Sequence, residues 1–192
     1  KAREQYYGAT VGRVCGRIRH AGFNLGNNYY KLAANDVYGK PTPNHLHGGF
    51  EGFHCCCWDT SVGINEKGEQ TVLFTRLSPD GEEGYPGNLK VKVKYTFDND
   101  STLTIEYGAV SDKDTVCNMT NHSYFNLNGD TSGSVRNHLL KVNSKSYIPI
   151  NKNLIPTGEI TPTKGSPFDF SEFKEVETAL NSSDIQISLA KG

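Results

Sequence analysis

The sequence predicts an all-β protein, a β-sandwich or barrel formed as a single domain over residues 1–192. Three observations carry this. From Leu89 to Phe97, Leu89, Val91, Val93, Tyr95 and Phe97 alternate with Lys90, Lys92, Lys94 and Thr96, a period of two with one wet face. Similar short apolar or β-branched runs recur between clusters of Gly, Pro, Asn and Asp. Only one segment has helical spacing. Many short strands with frequent turns read as two-layer β architecture.

In chain order, strands are expected at 29–33, 58–64 and 71–77, followed by a long turn-rich loop, Ser78-Pro-Asp-Gly-Glu-Glu-Gly-Tyr-Pro-Gly87. The 89–97 strand comes next. After Asp98-Asn-Asp-Ser101 the alternation resumes in Leu103, Ile105, Tyr107 and Ala109, which predicts an antiparallel hairpin. A further strand is expected at 138–142. Phe173, Val176 and Leu180, at i, i+3 and i+7, predict a short helix with Ser171 as its N-cap.

Composition narrows the function. With 20 basic and 21 acidic residues the net charge is −1, which leaves no electrostatic footprint for nucleic acid or an anionic membrane. No apolar run approaches a membrane span, and Lys1-Ala-Arg-Glu-Gln is no signal peptide, so a cytoplasmic protein is expected. The five cysteines, three of them consecutive at Cys55, Cys56 and Cys57, suit reduced thiols better than a disulfide framework. Adjacent strand residues point to opposite faces, so the triplet is not expected to bind one metal. The only Met is Met119, and the chain stops within an apolar-rich stretch, so a longer polypeptide is expected.

The histidines carry the candidate chemistry. In Pro43-Asn-His-Leu-His-Gly-Gly49, a strand would put His45 and His47 on one face, and the glycines would let a ligand or backbone come close. A cupin-like metal corner and a polar sugar site both fit. For His45 by itself a strand residue with no task is the simpler reading. In Thr120-Asn-His-Ser-Tyr-Phe-Asn-Leu127, alternation sends Asn121, Ser123 and Phe125 one way and His122, Tyr124 and Asn126 the other. Polar and aromatic groups so mixed suit either a pocket wall or a hydrogen-bonded interior. Glu82 and Glu83 read as a solvated loop.

Five stretches, in order, resemble the aldose 1-epimerase (galactose mutarotase) family: Gly8-Ala-Thr-Val-Gly-Arg-Val-Cys-Gly-Arg-Ile18, Pro43-Asn-His-Leu-His-Gly-Gly-Phe-Glu-Gly-Phe53, Ser78-Pro-Asp-Gly-Glu-Glu-Gly-Tyr-Pro-Gly-Asn88, Thr120-Asn-His-Ser-Tyr-Phe-Asn-Leu127 and Leu154-Ile-Pro-Thr-Gly-Glu159. The resemblance implies a large antiparallel β-sandwich, incomplete at its C-terminus here. It implies interconversion of the α and β anomers of free hexoses such as galactose and glucose, with no cofactor and no metal. It places the general acid on His122, sugar-holding groups on Arg17 and His47, and Tyr124 beside the sugar.

The sequence departs from the family pattern in three places. Gly16 stands where the family has Asn before the binding Arg, so one amide contact with the sugar is expected to be missing. A sugar-binding Asp finds its only match at Asp184, in a segment that otherwise diverges. The family's base, a Glu, and a sugar-binding Gln would fall beyond Gly192, so residues 1–192 alone are expected to turn over little sugar. The rival readings are an inactive sugar-binding protein of the same fold, a His/Cys metalloprotein of cupin type, and one part of a fusion with another sugar enzyme.

Overall fold

The structure, a computed structural model, describes residues 6–36 and 44–190. Pro43, which opens one of the motifs, and Lys191 and Gly192 lie outside the described residues. The chain is all-β and divides into two compact units, 1–123 and 124–192.

Among the described residues the first unit contains ten strands: β1 Thr10–Val11, β2 Arg17–Ile18, β3 Gly22–Leu25, β4 Asn28–Lys31, β5 His45–Leu46, β6 Asp59–Ile64, β7 Gln70–Ser78, β8 Leu89–Phe97, β9 Leu103–Ser111 and β10 Thr120–Asn121. Strands β6 to β9 form a four-stranded antiparallel meander in sequence order. The remaining six make two-stranded pairs, β1 with β10, β2 with β5 and β3 with β4. The expected 29–33 strand is observed as β4 over 28–31, and the Leu32 N–H adds one more rung to Ala21 at 2.8 Å, where the partner strand gives way to a 3₁₀ turn at Arg19–Ala21.

The alternation in β8 does what its period demands. Leu89, Val91 and Val93 are buried while Lys90 and Lys92 are exposed. Phe53 from a 3₁₀ turn, with Trp58 and Met119, packs on Leu89 and Val91. Each such side chain contributes about 1.5–3 kcal/mol on burial. Phe97 shares that face yet is exposed, because these covering residues sit at the other end of the strand.

The second unit holds β11 Leu139–Leu140, β12 Ser146–Tyr147, β13 Thr161–Pro162 and β14 Lys174–Glu175, paired β11 with β14 and β12 with β13. Two short helices follow, α1 Val176–Leu180 and α2 Ile185–Ala190. The expected helix therefore starts later than its spacing suggests. Lys174 and Glu175 pair with β11, Phe173 is exposed, and Ser171 turns its hydroxyl to the Asp169 carboxylate at 2.7 Å rather than capping a helix. No helix among the described residues is long and apolar enough to cross a membrane.

Candidate functional site

The site begins with the β2–β5 ladder, which pairs Arg17 with Leu46 and Ile18 with His45. One further rung, His47 N–H to Gly16 carbonyl at 3.0 Å, ends it. There His47 takes φ +52°, followed by Gly48 at +87° and Gly49 at +105°, and Gly49 N–H closes the turn onto Leu46. Gly48 is required for space as well as for its dihedral, since a Cβ there would lie 1.7 Å from the Gly12 carbonyl oxygen.

This turn corrects the expectation that His45 and His47 share a face. His45 is fully buried. Its Nδ1 lies 2.7 Å from the Ala33 carbonyl oxygen, so that nitrogen donates and Nε2, 2.6 Å from the Tyr85 hydroxyl, accepts. Burial pushes the pKa of His45 down and that of the Tyr85 phenol up. His45 thus has a task, tying three segments together with its ring neutral.

His47 faces a different set of groups. Its Nδ1 accepts the Gly16 N–H at 3.1 Å, which leaves the ring proton on Nε2. Burial lowers its pKa to about 4, helped by the charges of His122, Arg17 and His54 and opposed by Asp36. At neutral pH His47 is therefore an uncharged donor with a fixed tautomer. Gly16, the departure from the family pattern, has φ +75° and open space where a side chain would start. Asn is among the residues that best tolerate that conformation.

Arg17 donates from Nε to Asp36 Oδ2 at 2.9 Å, and both side chains are largely buried. Asn44 fixes Asp36 in turn, through its amide at 3.3 Å and its carbonyl, which accepts the Asp36 N–H. Among the described residues the two terminal guanidinium nitrogens bond no other protein group.

His122 follows β10, whose register with β1 sets Thr10 against Asn121 and Val11 against Thr120. Its N–H donates to Ala9 and its carbonyl accepts from Gly8, at 2.9 and 3.1 Å. The expected alternation over 120–126 stops at Asn121, because that side chain takes the Ser123 N–H in an Asx turn and bonds the Tyr95 hydroxyl through its amide. The His122 ring nonetheless meets His47 edge-on, with centroids 5.2 Å apart.

Two residues that the sequence reading passed over complete the cluster. Tyr6 stacks on His122 at 5.9 Å and 22°, and touches His47 at 4.7 Å and His54 at 4.4 Å. Periodicity gives no handle on either, since Tyr6 precedes the first strand and His54 lies in a 3₁₀ turn. Beside His54 is a cavity of about 230 Å³ lined by Phe53, Trp58, Phe74 and Tyr95 among others. Among the described residues no group of three or more His, Cys, Asp and Glu could hold a metal ion. All five cysteines are free thiols.

Glu82 and Glu83 are not a solvated pair. Glu82 takes both terminal nitrogens of Arg76, at 3.0 and 2.7 Å, and the Ser78 hydroxyl. Glu83 accepts the backbone N–H groups of Phe50 and Glu51. The same loop is held by Arg13, buried to 1% exposure, whose guanidinium donates to the carbonyls of Ser78, Pro79, Pro86 and Gly87 at 2.8–3.0 Å.

The structure thus brings together Arg17, His47 and His122. The other two expected site residues belong to the second unit. Tyr124 is exposed there, and Asp184 accepts the Gln186 N–H at 2.8 Å at the start of α2.

Residues 1–191 match the family described as aldose 1-epimerase. The chain belongs to the aldose 1-epimerase family. It is 44% identical over 178 residues to the galactose mutarotase of Mus musculus, covering 93% of this chain and 49% of that protein. To the aldose 1-epimerase of Haemophilus influenzae it is 41% identical over 175 residues, covering 91% and 48%. Among solved structures, the galactose 1-epimerase from Lactobacillus acidophilus superposes with a TM-score of 0.83 at 37% identity, over 98% of this chain and 54% of that one. The chain therefore spans about half the length of these family members.

Proposed function

We propose that the chain carries the sugar-holding and proton-donating half of an aldose 1-epimerase acting on free hexoses such as galactose and glucose. The observation that supports this most directly is His122 against His47, a neutral imidazole locked as an Nε2–H donor, with the Asp36-anchored Arg17 on the same ladder. In the reaction His122 gives a proton to the ring oxygen as a base removes the one on the C1 hydroxyl. The C1–O5 bond breaks, the aldehyde turns about C1–C2, and closure on the other face returns both protons. Imidazole suits the donor role because its ordinary pKa of about 6.5 lies near working pH. His47 Nε2–H and the Arg17 guanidinium hold sugar hydroxyls, and neither needs to change charge. For Tyr124 and Asp184, which belong to the second unit, the resemblance alone supports a sugar-contacting role.

The test has two readouts. Titration of the chain with galactose is expected to show roughly 5- to 150-fold weaker binding for Arg17→Ala and for His47→Ala, about 1–3 kcal/mol per lost contact. The resemblance assigns the base to a Glu beyond residue 192, so rate is read by polarimetry on fresh α-galactose with the chain joined to the C-terminal half of the mouse relative. There His122→Ala should lower turnover about 100-fold or more. A variant with the parent rate removes His122 as the acid; sugar binding with no turnover in the joined parent points to the inactive binding protein.

A further inference from the structure

The clasp on His122 is built by one short segment. Residues 6–9 form a turn closed by Ala9 N–H on the Tyr6 carbonyl at 3.0 Å. From that turn Gly8 donates to the His122 carbonyl and Ala9 accepts the His122 N–H, so both backbone groups of His122 are fixed by the same four residues. Tyr6, at φ +53°, then lays its ring against three imidazoles at once: parallel to His122, and tilted against His47 and His54. Two χ angles are all that must be ordered to hold such a ring, so it serves as a rigid wall at small entropic cost.

We propose that Tyr6 is a positioning residue for this site, its ring setting the orientation of the His122 and His47 imidazoles. It touches no reacting atom in this account and acts through the two histidines. Proton transfer falls steeply with misplacement, so a ring packed parallel to the imidazole bears directly on the reaction geometry. β10 stops one residue before His122, so the strand by itself does not set that plane. Packing against Tyr6 also contributes to the burial that keeps His47 neutral, alongside the charged and titratable groups that face it, His122, Arg17, His54 and Asp36. His54 packs on the same ring, with centroids 4.4 Å apart.

This inference rests on the proposed roles of His122 and His47 for its functional consequence, but its structural content is testable without them. The experiment follows the imidazole Cε1–H signals of the 192-residue chain by NMR across pH 4–8, in the parent, Tyr6→Phe, Tyr6→Ala and Tyr6→Leu. Tyr6→Phe should keep the ring-current shifts of His122 and His47 and the low His47 midpoint. Tyr6→Ala and Tyr6→Leu should lose both, the His47 midpoint rising from about 4 toward 6.5. The Leu variant keeps side-chain bulk if Ala loosens the fold, and the Val91 and Val93 amide signals report the sheet independently. Galactose affinity, titrated in parallel, should drop about tenfold in Ala and Leu and stay within twofold in Phe. Imidazole signals unmoved in Ala and Leu overturn the inference whatever the sugar does. Signals that move in Ala and Leu but not in Phe, in a chain that binds neither galactose nor glucose, uphold the positioning role and defeat the mutarotase reading instead.

Discussion

The four-stranded meander and the site-bearing segments of the same unit are built on different principles. Strands β6 to β9 are six to nine residues long, run in sequence order, and take their register from a repeating pattern of apolar and polar side chains. The site is assembled from two-residue pairs, a left-handed turn at 47–49 and a loop fixed by individual side chains. In the sheet each residue does a small, replaceable share of the work. Around the site single residues carry several constraints each: Arg13 donates to four carbonyls, His45 links Ala33 to Tyr85, and Gly48 leaves room for the Gly12 carbonyl. The proposed site therefore lies where the structure is least redundant.

The sharpest way to break this comparison is Arg13→Met. It removes the cation that satisfies four buried or half-buried carbonyls while keeping an unbranched apolar stem, and it should cost about 4 kcal/mol or more in urea denaturation, enough to unfold the chain. A loss under about 1 kcal/mol would show that the loop is as redundant as the sheet.

A smaller effect comes from acid. His45 and His47 both have folded pKa values below that of the unfolded chain, so between pH 6.5 and 4 the unfolded state binds more protons. Stability is then complete above about pH 6.5 and is lost as pH falls, by up to about 2 kcal/mol between pH 7 and 5 for His47, some of which solvent contact will screen. Fluorescence of Trp58, the only tryptophan, reports unfolding at each pH. Glu82, whose carboxyl is held below its usual range by Arg76 and Ser78 against the opposing effect of burial, adds its own loss only below about pH 4.5. A flat profile from pH 7 to 5 would mean that neither imidazole is held neutral by the fold.

The smallest effect should be in the sheet. Lys92→Thr, on the wet face of β8, exchanges one exposed strand residue for another with good β propensity and should shift stability by less than about 0.5 kcal/mol. A loss above about 1 kcal/mol would show that the Lys92 stem, which lies over Gly108, does packing that the alternation conceals.

The same contrast explains what the sequence makes legible. β8 and β9 are readable almost to the residue because a half-buried strand must repeat every two positions. The site motifs are legible as resemblance, which brings out His122, His47 and Arg17. Their placement is not, because a two-residue strand has no period to read and an αL residue such as His47 reverses the face of everything after it. Tyr6, His54 and Arg13 escape for a related reason: their partners lie far along the chain, and only the closed fold shows them. The helix at 173–180 fails differently, through competition, since strand pairing claims Lys174 and Glu175 before helical spacing can act.

The pairing of β1 with β10 also sets a timetable. Thr10 and Asn121 are more than a hundred positions apart. A ribosome adding about 5–20 residues per second therefore exposes the first strand for roughly 5 to 20 seconds before its partner exists. Near the end of that interval, once residue 111 has been added, the sheet from β6 to β9 has every segment it needs, whereas His122 has not been made. The meander is thus available as a platform on which the older N-terminal segment and the newer His122 segment later meet. A hexose held by Arg17, His47 and His122 would stabilise only the finished article, by binding the native state alone, and would give the nascent chain no help at all.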